Sequence, residues 1–134
     1  MKPMIAIVLA ATALSACETA NEPRQRSAEM QALYEKTLAG KTPGKSDSCL
    51  PTYRSNDMTV IDERTILFRD GRTTWVNTMI GECNQLGRAG YAIVSRSTGT
   101  QLCRGDIATV TDTTSGASVG SCAYGDFVPY RPAG

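Results

Sequence analysis

The sequence predicts a mainly β fold: a small antiparallel barrel or sandwich with a short N-terminal helix and disulfides. From residue 49 onward, short runs of β-branched and aromatic residues recur at close spacing between Gly-rich turns. Asp70-Gly71, set between Arg69 and Arg72, is a two-residue hairpin signal, because such turns favour residues that tolerate positive φ. The same stretch carries Cys49, Cys83, Cys103 and Cys122, an even set in a unit too small to build more than a modest core.

The chain opens with Lys2 and then runs without charge from Ile5 to Ala16, where only Thr12 and Ser15 are polar. At ~1.5 Å per residue this run falls well short of a ~30 Å hydrocarbon core, so it fits a signal peptide and not a membrane span. No other apolar run approaches the ~18 residues a span needs. It closes on Leu14-Ser15-Ala16-Cys17, which resembles the lipobox of bacterial lipoproteins. The resemblance implies cleavage before Cys17, a diacylglyceryl thioether on its sulfur, and three acyl chains after full processing. Ordinary secretion would leave Cys17 a bystander. One acyl chain binds a membrane only marginally, whereas two or more hold it. The expected location is the bacterial cell envelope, lipid-anchored and facing the periplasm. Glu18, where inner-membrane retention uses aspartate, favours the outer membrane. The chain then divides into residues 1–16 as signal peptide, 17–48 as a lipid-anchored tether with a short helix, and 49–134 as the small β domain.

Within the tether, Asn21-Glu22-Pro23 offers a cap and an early proline, and Met30, Leu33, Tyr34 and Leu38 recur at helical spacing. Gly40 is a natural stop, and residues 41–48 have the composition of a flexible linker. The apolar stripe has two available docking surfaces, its own domain or a partner. Beyond it, strands are expected over Met58–Ile61, Thr65–Arg69 and Thr73–Ile80, then a loop over Gly81–Gly90 that carries Cys83. Further strands are expected over Tyr91–Arg96, Gln101–Cys103 and Ile107–Thr111, with two short segments around Cys122 and Phe127-Val128. Three disulfide connectivities are possible. If Cys103 descends beside the loop of Cys83, the pairs are Cys83–Cys103 and Cys49–Cys122. Long spacings without Cys-x-x-Cys argue against a zinc site and a thioredoxin-like motif.

Without the leader and its Lys2, thirteen basic residues balance thirteen acidic ones. Such a chain has no bulk field to gather nucleic acid or acidic lipid. Histidine is absent, which removes Ser-His-Asp and Cys-His catalysis and the commonest metal ligand. No cofactor or metal is implied. Arg64, Arg69 and Arg72 gather around the first two turns as a possible anion-binding set, since the guanidinium fork suits carboxylate and phosphate. Asp62, Glu63 and Asp70 are at hand to pair with them instead. With Asp106, Asp112 and Asp126, these acids also supply candidates for glycosidase chemistry, which needs two carboxylates about 5–9.5 Å apart. Nothing in their spacing singles out a pair. Trp75 with Tyr53, Tyr91, Tyr124 and Tyr130 offers either a sugar-stacking face or packing. Arg104-Gly105-Asp106 reads as a turn, although it spells an adhesion tripeptide.

Cys49-Leu50, the run Ile61 to Phe68, Asn77 before Cys83, Leu102 to Asp106, and Cys122 with Gly125-Asp126-Phe127 together resemble a family of small exported bacterial proteins defined only as a domain of unknown function. The resemblance covers about two-thirds of the chain. It implies an exported cysteine-bearing domain and names no substrate, cofactor or catalytic residue. The expected function is a membrane-anchored envelope lipoprotein whose non-enzymatic domain binds or scaffolds an envelope protein or glycan. The alternative is a carboxylate-dependent hydrolase acting on envelope polysaccharide.

Overall fold

The structure is a computed structural model and describes residues 26–133. Its centre is the hairpin of β4 (Thr65–Asp70) and β5 (Thr73–Thr78). Residues 65–68 are all buried, which requires cover on both faces of the strand. Alternation sends Ile66 and Phe68 one way and Leu67 the other, and the register sets Leu67 opposite Val76 and Phe68 opposite Trp75. Leu67, Val76 and Ile61 meet Met30, Leu33, Tyr34 and Leu38 of helix α1 (Ala28–Leu38), joined by Tyr130. The apolar stripe therefore docks on its own domain. The opposite face joins Leu50, Leu102, Val110, Tyr124 and Phe127 in the larger core.

β4 and β5 belong to a five-stranded antiparallel sheet in the order β1 (Lys41–Pro43), β10 (Phe127–Pro132), β5, β4, β3 (Met58–Val60). A second sheet holds β6 (Tyr91–Arg96), β8 (Ile107–Asp112) and β9 (Ser118–Ala123), and a third pairs only β2 (Cys49–Pro51) with β7 (Gln101–Cys103). Among the described residues the predicted mainly β class is observed, with antiparallel sheets, one α-helix and disulfides. The arrangement is sandwich-like and does not close into a barrel, because β3 and β6 end their sheets without bonding to each other.

Three local expectations differ from the structure. The helix is capped by Ser27, whose Oγ accepts the Met30 N–H at 3.2 Å. The expected cap at Asn21-Glu22-Pro23 lies outside the described residues. Gly40 does end the helix, at φ +71°. The supposed flexible linker, however, is ordered along β10: Lys41 to Pro43 form β1, the Gly44 N–H donates to Pro129 C=O, and Asp47 bridges Phe127. Backbone bonds to a sheet edge override a linker-like composition, and Pro43 is tolerated because an edge strand leaves one side unpaired. The folded unit thus begins ahead of residue 49. In the β4–β5 hairpin the two loop residues are Gly71 and Arg72, one step beyond the expected Asp70-Gly71. Gly71 alone has positive φ, at +59°, the pattern of a turn with glycine first.

The cysteines form two disulfides, Cys49–Cys103 and Cys83–Cys122, so the expected pairs Cys83–Cys103 and Cys49–Cys122 are incorrect. The error lies in the strand order. β7 does not return beside β6 but crosses to β2, where Cys103 faces Cys49 directly in register. β9 instead carries Cys122 to the Gly81–Gly90 loop, fixed there by the bridge between Ala123 and Ile80.

Candidate functional site

The unjoined edges of the two larger sheets frame an open groove of about 210 Å³. Strand alternation turns Ile93 and Ser95 of β6 inward, followed by Ser97 beyond its end, while Val94 points out and is 48% exposed. Thr52 and Ser55, on the 3₁₀ turn Thr52–Arg54 and its cap, form the facing rim with Met58, the first residue of β3. Phe68, Leu102 and Tyr124 make the floor.

The rim chemistry follows from how these hydroxyls are already bonded. Ser55 Oγ donates to Thr52 C=O at 2.7 Å, and Thr52 Oγ donates to Thr100 C=O at 3.0 Å. Their protons are committed, which leaves the hydroxyl oxygens available only as acceptors. Ser95 Oγ and Tyr124 Oη share a 2.6 Å hydrogen bond that ties β6 to the core. Burial raises the Tyr124 pKa above the ordinary 10.0; the Ser95 bond opposes that shift and the Asp106 charge adds to it. Tyr124 is therefore a neutral phenol at physiological pH, and none of the nine lining residues carries a charge.

A consequence for stability follows. A tyrosine whose folded pKa is raised binds its proton more tightly in the native state, so its contribution is complete below the unfolded value near pH 10. That contribution is lost as pH rises through the folded value. Denaturant midpoints are expected to hold steady up to about pH 10 and fall above it. Tyr124→Phe is expected to flatten that fall, and an unchanged alkaline slope would contradict the assignment.

The possible anion-binding set is not assembled into one site. Arg64 lies in the turn ahead of β4 and Arg69 near its far end, about 17 Å away at ~3.3 Å per residue. Arg69 pairs with Asp57 at 3.1 Å, and Arg72 occupies the exposed hairpin tip. Each of the candidate carboxylates is already bonded. Asp62 takes Arg26 at 2.8 Å, Asp70 takes Arg54 at 3.3 Å and Asp126 takes Arg104 at 2.9 Å. Glu63 accepts the Gln85 N–H, Asp106 the Cys103 N–H, and Asp112 the N–H groups of Thr114 and Ser115. Arg104-Gly105-Asp106 is a tight turn, with Gly105 at φ +87° and the Asp106 N–H bonded to Cys103 C=O at 3.0 Å. Trp75 and Tyr124 are buried, so the aromatic residues present no shared stacking face.

A second groove of about 200 Å³ lies where the start of α1 meets the Gly81–Gly90 loop. Arg26 there is spent on Asp62, Gln31 and Thr65 and stacks over Tyr34 at 4.3 Å. Arg88 remains as its cation, but Asp62 and Glu63 beside it disfavour an anionic ligand. Among the described residues, no group of three or more Cys, Asp or Glu side chains is placed to share a metal ion. Comparison with protein-family models, curated proteins and solved structures found no match.

Sequence reasoning missed the groove between β3 and β6. Its only trace in the chain is the alternation Ile93, Ser95, Ser97, where hydroxyls replace apolar residues on the inward face of a strand. That signal gains meaning only once β6 is known to be an edge.

Proposed function

We propose that this protein is a lipid-anchored binding module of the bacterial cell envelope, held on the outer membrane through Cys17 and facing the periplasm. The observation that carries the binding role is the uncharged groove between β3 and β6, with its apolar floor and hydroxyl rim. Two disulfides suit an oxidising compartment. The lipobox-like Leu14-Ser15-Ala16-Cys17 supports the anchor, and the resemblance of residues 49–130 to exported proteins supports the address. No helix among the described residues is long and apolar enough to cross a membrane. Binding is favoured over carboxylate-dependent hydrolysis because no carboxylate is among the described residues lining this groove, and Asp62 and Glu63, which line the other groove, are taken up by Arg26 and the Gln85 N–H.

Two experiments test the proposal. Mass spectrometry of the membrane-extracted protein is expected to show loss of residues 1–16 and gain of lipid on Cys17. Cys17→Ser is expected to release the protein from membranes or leave an uncleaved precursor. Unmodified mature protein free in the periplasm would overturn the anchor. For binding, the intact lipoprotein is captured from membranes after gentle crosslinking and compared with Met58→Lys, which places a charge on the rim. The expected result is one reproducible companion molecule that Met58→Lys loses at least tenfold. Equal recovery by both forms would overturn the assignment of the site.

A further inference from the structure

We infer that the groove receives an extended, uncharged polypeptide segment, which adds to the free edge of β6 as a strand and seats an apolar side chain between Met58 and Ile93. The inference rests on the groove being the binding site and names the class of ligand. Among the described residues, β6 is the terminal strand of its sheet, and all six of its residues pair on one side only, with β8. Apart from that ladder, its one backbone hydrogen bond among the described residues runs from the Tyr91 N–H to Arg88 C=O. Alternate N–H and C=O groups between Ala92 and Arg96 therefore point outward, ready to template another strand.

Folded proteins usually blunt such an edge with lysine, proline, a bulge or short length. The other edges here follow that rule. β3 and β1 have three residues each, β1 ends in Pro43, and β9 is held at Ala123 by the bridge to Ile80. The bulge in the β6 sheet lies between β8 and β9, on the far side. β6 is six residues long, has neither proline nor lysine, and carries one charge, Arg96, at its end.

The groove beneath the edge selects the ligand. Strand addition commonly couples main-chain bonds at an edge to pockets for alternate side chains. The edge and the pocket are built here from the same strand, through Ile93 and Ser95. A groove of about 210 Å³ has room for one large apolar side chain. The uncharged lining disfavours an ionised one. Thr52 and Ser55 offer acceptors to the N–H groups of an incoming backbone. A glycan fits less well, because sugars stack on exposed rings, while Phe68 is 1% and Tyr124 0% exposed. Tyr53, at 67%, is an exposed ring but lies outside the lining.

The test uses the full mature lipoprotein in detergent micelles, panned against a displayed library of random linear heptapeptides. Enriched peptides are expected to be uncharged at their centre, with apolar residues at alternate positions. Synthetic copies are then expected to lose at least tenfold in affinity on Met58→Lys, on Ser97→Lys, and on alternate backbone N-methylation, which removes strand donors while keeping the side chains. The outward-facing amides of Ile93 and Ser95 are expected to gain hydrogen-exchange protection when peptide binds. Absence of enrichment, or binding that survives both N-methylation and Met58→Lys, would overturn the inference. A companion lost on Met58→Lys in the membrane capture, with no peptide enriched here, would sink the peptide assignment and leave the groove reading standing. Pairing of β6 with β6 of a second copy would replace the inference with a homodimer.

Discussion

Asn77→Ala is expected to lower the unfolding free energy by about 2–4 kcal/mol, the cost of stranding two buried backbone groups and losing their partner. Asn77 lies on β5 with no exposed surface. Its Nδ2 donates to Gly125 C=O at 2.8 Å, and its Oδ1 accepts the Gly125 N–H at 3.0 Å. One amide thus satisfies both backbone groups of the residue that turns the chain from β9 into β10. Gly125 is equally constrained, since a Cβ there would collide with the Thr78 carbonyl oxygen. Gly125→Ala must therefore push the turn off β5, and a loss of about 3 kcal/mol is expected, at the upper end of overpacking costs. Chemical denaturation of each variant checks both values. A loss below about 1 kcal/mol for Asn77→Ala would show that the turn is satisfied by other means.

Loss of the Cys83–Cys122 bridge is the second large effect. The bridge closes a separation of 39 residues, for which chain entropy alone gives about 4 kcal/mol. Cys49–Cys103, with a separation of 54, gives about the same. Their surroundings differ. Cys83 and Cys122 are buried within the main core, whereas Cys49 and Cys103 are half-buried on the two-stranded sheet. Replacing Cys83 and Cys122 by alanine removes sulfur from the close-packed interior as well as the crosslink, so its cost is expected to exceed that of replacing Cys49 and Cys103. Graded reductant, followed by alkylation and peptide mapping, is expected to open Cys49–Cys103 first. The reverse order would contradict the burial argument.

Much of the fold was legible in the sequence because the strands are written in local chemistry. Tyr91–Arg96 and Gln101–Cys103 match the observed strands residue for residue, and the Asp70-Gly71 signal missed its hairpin loop by one position. What local pattern does not carry is which strand lies beside which. The crossing of β7 to β2 is a non-local pairing of three residues, and no periodicity in Gln101–Cys103 announces it. The wrong disulfide pairs followed from that one omission. Lys41 to Pro43 fail for a related reason: a threonine, a proline and a lysine become a strand only because β10 offers an edge. The arginines illustrate the opposite trap. Arg64 and Arg69 are close in sequence, but a strand between them carries them to opposite ends of a sheet. Conversely, Met58 and Ser97 are distant in sequence and line the same groove.

Site-specific photo-crosslinking in living cells tests the central claim most directly. A photoreactive residue is placed at Met58 or Ser97 on the groove, and at Arg72 on the hairpin tip as control, in the full-length lipoprotein. The account predicts that both groove positions crosslink to the same molecule, with the contact mapped to Ile93–Ser97, while Arg72 yields none of that product. Equal labelling from Arg72, or products that differ between Met58 and Ser97, would contradict it.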